Sequence, residues 1–163
     1  MTKAAKSGFR EEDPRLKKLF LWIRANVVLS ERLWESREKK LLRRLAEQLQ
    51  AQPDTTRVTQ EMGVFRTLGL NVRADILHVR GERIALYEGK FQNTRAANLY
   101  QLRLYWDGAV KDGIPPHDAF LIGSHHPDEV LTLLEYLNKQ TGPDGRPYNF
   151  HLTTWKDVGI SLQ

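Results

Sequence analysis

No cysteine occurs among the 163 residues. That removes disulfide bridges, thiolate chemistry and Cys-ligated zinc, and it fits a reducing compartment. Long apolar runs are missing too. The stretch 1–10 is polar and basic, and no continuous apolar segment of signal-peptide or membrane-spanning length follows it. Cytoplasm is therefore the expected location, although export by machinery that needs no cleavable signal is compatible with the same sequence. Internal repeats and low-complexity tracts are absent. The glycines of Gly142-Pro143-Asp144-Gly145 lack a following Lys-Ser or Lys-Thr, so this segment reads as a turn and not as a phosphate loop.

What the chain does have is apolar content sufficient for one core, with 40% hydrophobic residues over its length. A single domain is expected, with residues 1–53 as an N-terminal helical part and 54–163 as an α/β core. The 25 Lys and Arg exceed the 20 Asp and Glu, giving a net charge of +5. Such a balance favours a polyanionic partner and says nothing about fold.

Asp13-Pro14 reads as an N-cap and first helical residue. Leu16, Leu19, Phe20 and Ile23 then recur at helical spacing to about Asn26. Ser30 caps a second expected helix ending near Pro53. Its apolar stripe is Leu33, Leu41, Leu42, Leu45 and Leu49; Arg37, Lys39, Lys40, Arg43 and Arg44 crowd the rest. That basic run reads as a solvated face partly neutralised by Glu35, Glu38 and Glu47.

From Arg57 onward, short β-rich segments alternate with glycine and polar residues, predicting strands over 57–65, 72–79 and 83–91 with a tight hairpin at Arg80-Gly81-Glu82. A helix capped by Asn93 or Thr94 follows, with Leu99, Leu102, Trp106 and Ala109 on its buried side until Gly113 and Pro115 stop it. A short buried strand over 119–122, a helix over 128–139 and a last strand over 148–155 complete a mixed α/β order.

Side chains two apart in a strand share a face, so Glu88 and Lys90 point the same way, in line with Ile84 and Leu86. Across the hairpin, Asp75 falls among Leu77 and Val79. Unpaired charge in such surroundings is costly. Two neighbouring carboxylates on an apolar surface are most simply kept ionised by a divalent cation, and magnesium suits oxygen ligands with retained waters. A cation polarising a phosphate, with an ammonium beside it to orient water or stabilise negative charge, makes up the working parts of a phosphodiesterase.

Asp75, a gap of twelve residues across a hairpin, and then Glu88-Gly89-Lys90 resemble the PD-(D/E)XK nuclease superfamily, with Ala74 in place of its usual proline. The segment Gln101-Leu102-Arg103-Leu104-Tyr105 resembles the Q-L-x-x-Y signature of the RecB-like members. The resemblance spans roughly Glu61 to Gly113. It implies a restriction-endonuclease-like αβββαβ core, with a mixed central sheet flanked by helices. It also implies a Mg2+ or Mn2+ ion on Asp75 and Glu88, Lys90 assisting the attacking water, Gln101 placing substrate, and Tyr105 in support. A further acid usually comes from the first helix or strand; Glu61 is the preferred candidate and Glu47 the alternative. Arg73, Arg95 and Arg103, with Arg66, are candidates for the nucleic-acid backbone because they flank the site in sequence.

DNA is the expected substrate, with RNA as its rival. A non-catalytic nuclease fold serving a larger complex is the other alternative, drawn from the N-terminal helices, whose Trp22, Trp34 and leucines suggest self-association or assembly. His125-His126 has no spaced acidic partner and does not read as a metal site. His78, opposite the Asp75 face, reads as a packing or surface residue, and the tryptophans read as core anchors.

Overall fold

Leu41, Leu42, Leu45 and Leu49 recur at three- and four-residue spacing, and all four are buried, together with Ala46, on one side of a helix, α1, seen here over 37–50. The protein is described by a computed structural model over residues 37–162. The expected helix over 14–26, the Ser30 cap, Leu33, Trp22 and Trp34 lie outside the described residues, as does the assembly surface assigned to them.

Three strands follow: β1 (Thr55–Val64), β2 (Val72–Arg80) and β3 (Arg83–Gly89). They form an antiparallel meander, with Gln60 opposite Ile76 and Ile76 opposite Tyr87. Only Gly81 and Glu82 separate β2 from β3, and Gly81 takes a positive φ of 55°, the left-handed backbone that a tight hairpin demands.

Helix α2 (Ala96–Lys111) carries the chain over to β4 (Asp118–Gly123), and α3 (Asp128–Asn138) carries it on to β5 (Phe150–Thr154). Both of these strands run parallel to their predecessors, with Glu88 level with Leu121 and Ala119 level with Phe150. Parallel neighbours require such long crossovers.

The five strands lie in chain order, β1-β2-β3-β4-β5. This is the mixed α/β sheet flanked by helices that the element order predicts, an αβββαβ arrangement extended by α3 and β5. One face of the sheet packs against α2 and α3 through Leu77, Leu86, Leu99, Leu102, Trp106 and Leu137; the other packs against α1, Trp155 and Ile160. Full burial of each such apolar side chain is worth about 1.5–3 kcal/mol. No described helix is long and apolar enough to cross a membrane.

Some boundaries differ from the sequence reading for identifiable reasons. β3 stops at Gly89, not Phe91, because the Phe91 amide leaves the ladder to donate to Glu38 Oε2 at 3.1 Å. The N-cap of α2 is Arg95, and Asn98 Oδ1 accepts the Arg95 amide at 2.8 Å. Thr94, an expected cap, is instead buried and bonded to the His126 ring at 2.8 Å.

Candidate active site

The end of β3 lies where the sheet changes from antiparallel to parallel pairing, and the charged residues gather there. Glu88 emerges on the face that continues Leu86, and its side chain has no solvent exposure. Lys90 Nζ stands 2.6 Å from Glu88 Oε1. Beyond this ion pair, neither Glu88 oxygen has a hydrogen-bond partner among the described residues. Asp75 Oδ2 accepts the Gly89 amide at 2.9 Å, which fixes its carboxylate beside the Glu-Gly-Lys segment.

The lysine backbone is held from two sides. Its amide donates to Ile122 O at 2.8 Å and its carbonyl accepts the Trp155 indole N–H at 2.7 Å. Gly89, between the two charged residues, sits against the other core: a Cβ there would lie 2.8 Å from both Leu42 Cδ2 and Trp155 Cη2. The middle residue of the triplet is thus restricted to glycine by packing.

A third carboxylate joins the cluster. Glu38, on α1, places Oε1 3.6 Å from Lys90 Nζ while Oε2 accepts the Phe91 amide. Sequence reasoning counted Glu38 only as a charge neutralising the basic run. Its signal was its position, three residues before Leu41 and four before Leu42, on the buried side of the helix. Glu61 is not brought into the cluster. It lies level with Asp75 in the β1–β2 register, but its backbone is left-handed (φ 49°) and its exposed carboxylate meets Arg73 Nη1 at 3.5 Å. Glu47, the other candidate, is exposed on α1.

On α2, Gln101 Nε2 donates to the Tyr105 hydroxyl. Tyr105 is buried, and its acidity is affected by Glu88, Asp75 and Lys90, so the pair borders the charged cluster. Burial first, and then the Glu88 charge, push the Tyr105 pKa up to about 12. Asn98, three residues before Gln101, is engaged at the N-terminus of the helix, where it accepts the Arg95 amide.

The four candidate arginines behave differently from one another, and Arg66 pairs with Asp112 at 3.5 Å. Arg73 is paired with Glu61 and bonded to Asn71. Arg103 donates to the Tyr148 hydroxyl at 3.1 Å and to Gln140 at 3.2 Å, over the ring of Tyr148. It serves α2–α3 packing rather than the cluster. Arg95 is exposed and lines a groove with Phe91, Thr94 and Ser124.

Burial is the largest influence on Glu88, reinforced by the Asp75 charge and opposed by Lys90; together they raise its pKa from the ordinary 4.5 to about 8. Burial would lower Lys90, but Glu88, Glu38 and Asp75 outweigh it and hold the ammonium protonated. Glu38 is raised by burial, restrained by Lys90 and by the Phe91 amide. Among the described residues no three acidic or imidazole side chains converge into a ready-made metal cage. His126 bridges Thr94 and the Thr153 carbonyl, and buried His78 bonds Thr55; both are structural.

The fold and cluster together define an α/β protein with a buried acid–lysine centre at the junction of its sheet. No family model matches the chain, and no curated protein matches it. Among solved structures it is similar to the crystal structure of a repair endonuclease from Pyrococcus abyssi, with a TM-score of 0.48 and 14% identity. The similarity covers 68% of this chain and 45% of the endonuclease, so the match spans less than half of that protein.

Proposed function

We propose that this protein is a metal-dependent nuclease of the PD-(D/E)XK type that hydrolyses DNA phosphodiester bonds. The observation that carries this reading is Glu88, a carboxylate with no solvent exposure, whose oxygens find no partner among the described residues beyond the Lys90 ammonium and which feels the charge of Asp75. Burying a carboxylate beside a second one, with one ammonium as its partner, costs stability, which an arrangement serving only stability would not retain. Two such carboxylates fit a small, hard cation such as Mg2+ or Mn2+, which needs only one or two protein carboxylates beside water and phosphate oxygens. Asp75 and Glu88 would hold it. Bound there, the ion supplies Lewis-acid polarisation of the phosphate and a more acidic water.

The chain's own groups do the rest. Lys90, kept protonated by its three carboxylate neighbours, is not a general base. Its Nζ donates hydrogen bonds and offers positive charge where the scissile phosphate becomes more negative. Glu38 Oε1 steadies that ammonium from the α1 side. The Gln101 amide N–H donates a hydrogen bond to the Tyr105 oxygen, so the phenolic O–H keeps its own hydrogen to donate and the Gln101 carbonyl oxygen is available to substrate.

Wild-type and Lys90→Ala protein, incubated with supercoiled, linear and single-stranded DNA and with RNA, in magnesium, manganese or chelator, test the proposal. We expect metal-dependent cleavage of DNA that falls by about 10²–10³-fold in the variant. Nicking against end-shortening distinguishes endonuclease from exonuclease. A wild-type protein that cuts no nucleic acid with any of these ions rejects the reading, and preferential cleavage of RNA changes its substrate.

A further inference from the structure

We infer that the basic side of α1 forms a binding groove for single-stranded DNA that leads to the Glu38–Asp75–Glu88–Lys90 cluster. The inference deepens the nuclease proposal by naming its substrate class, and the binding it describes is measurable without catalysis.

Arg37, Lys40, Arg43 and Arg44 line a single groove of about 620 Å³, in which Glu47 is the one acidic residue. Its floor includes Leu41, Leu162 and Phe91. The charge is left largely uncompensated. Glu38, counted in sequence as a counter-charge, is turned into the acid–lysine cluster, and among the described residues the Arg44 guanidinium bonds the Ser161 carbonyl, at 3.4 Å. Lys40 and Arg43 are exposed. Four cations against one acid in one concavity attract a polyanion.

Phe91 joins groove and cluster. It follows Lys90 directly, its amide is bonded to Glu38, and the Arg37 guanidinium lies 5.4 Å from its ring centroid. An aromatic ring with a guanidinium beside it offers a surface on which a base stacks. Stacking needs an unpaired base. The groove volume is that of a small-ligand pocket, enough for a nucleotide or two of one strand, whereas a duplex is far wider. Cations for phosphate over an apolar floor fit the backbone of a strand, and that the strand is DNA follows from the nuclease proposal on which this inference rests.

The test is fluorescence anisotropy of the full chain with a labelled twenty-nucleotide DNA strand, the same sequence as duplex, and the same sequence as RNA, all in chelator. We expect the DNA strand to bind most tightly. Lys40→Ala with Arg43→Ala should weaken it about tenfold near 0.1 M salt and reduce the slope of log affinity against log salt by about 1.4, at roughly 0.7 per lost phosphate contact. Phe91→Leu, which keeps the apolar volume, should weaken the single strand about fivefold or more and leave the duplex unchanged. Arg57→Ala with Lys111→Ala, exposed and outside the groove, should stay within about twofold of wild type, since those residues add only non-specific charge.

Groove variants that bind like wild type, no binding by wild type, or tighter binding of duplex or RNA each overturn the inference. A companion cleavage assay with magnesium separates the two proposals. Binding lost in the groove variants with no cleavage by wild type keeps the groove and removes the nuclease. Lys90-dependent cleavage with unaltered groove variants does the reverse.

Discussion

Glu88 sets a condition on the stability of the metal-free protein. Its folded-state pKa, about 8, lies above the ordinary 4.5, so the folded state retains a proton that the unfolded chain gives up. The associated stability is full below about pH 4.5 and declines as pH rises toward 8. In chelator, the melting temperature of wild type should therefore fall over that interval. Glu88→Gln should flatten the fall and melt about 5 °C higher at pH 8; parallel pH profiles for the two proteins would disprove the assignment. A divalent cation competes for the same oxygens, so the stabilisation it gives should grow with pH over the same range. Glu38 and Glu61 allow a second comparison. Glu38→Ala removes a neighbour of Lys90 and should lower kcat by about 10²-fold with little change in KM, whereas Glu61→Ala should leave cleavage within about twofold. Equal effects would return Glu61 to candidacy. The shared face of Asp75 and Glu88 was legible from strand alternation, whereas Lys90 lies one residue past the end of β3 and was legible from its spacing to Glu88. Glu38 was hidden by a charge count, and the left-handed backbone that takes Glu61 away from the cluster has no signature in its residue type.

At the scale of elements, the helices and strands were legible from apolar period and turn residues, and errors collected where side chains replace backbone partners. β3 was read two residues too long because nothing in the sequence shows the Phe91 amide choosing Glu38. Arg103 was assigned to the site from nearness in sequence, yet each residue turns about 100° around a helix, and its guanidinium faces Tyr148 and Gln140. Gly89 ties three elements together: its amide holds Asp75 of β2, while its bare α-carbon admits Leu42 of α1 and the Trp155 ring. Gly89→Ala should cost about 2 kcal/mol in urea unfolding. In a double-mutant cycle with Leu42→Ala, the combined loss should be smaller than the sum of the two single losses, because the Leu42 clash is gone, but larger than that of Leu42→Ala alone, because Trp155 still clashes. A neutral Gly89→Ala would mean that the α1 face yields more easily than its contacts indicate.

For the whole molecule, the cluster stands between two cores that lie on opposite faces of the sheet. Asp75, Glu88 and Tyr105 belong with the α2–α3 side, and Glu38 comes from the α1 side, which Trp155 and Ile160 complete. Ile160→Ala should loosen only the second core. We expect about 2–4 kcal/mol of destabilisation, with amide exchange accelerated over residues 41–49 more than over α2. Uniform acceleration across both helices would show that the two cores open as one. This division was not readable in advance, because apolar periodicity says that a residue is buried and not on which face its partners lie.

The indole N–H of Trp155 donates to the Lys90 carbonyl, and its ring lies against Gly89. The centre therefore carries an intrinsic fluorophore coupled to its lysine through one hydrogen bond. In a protein whose Trp22, Trp34 and Trp106 were changed to phenylalanine, emission from Trp155 alone would give an optical titration of whatever shifts the Glu-Gly-Lys segment, with no substrate turned over and no label attached.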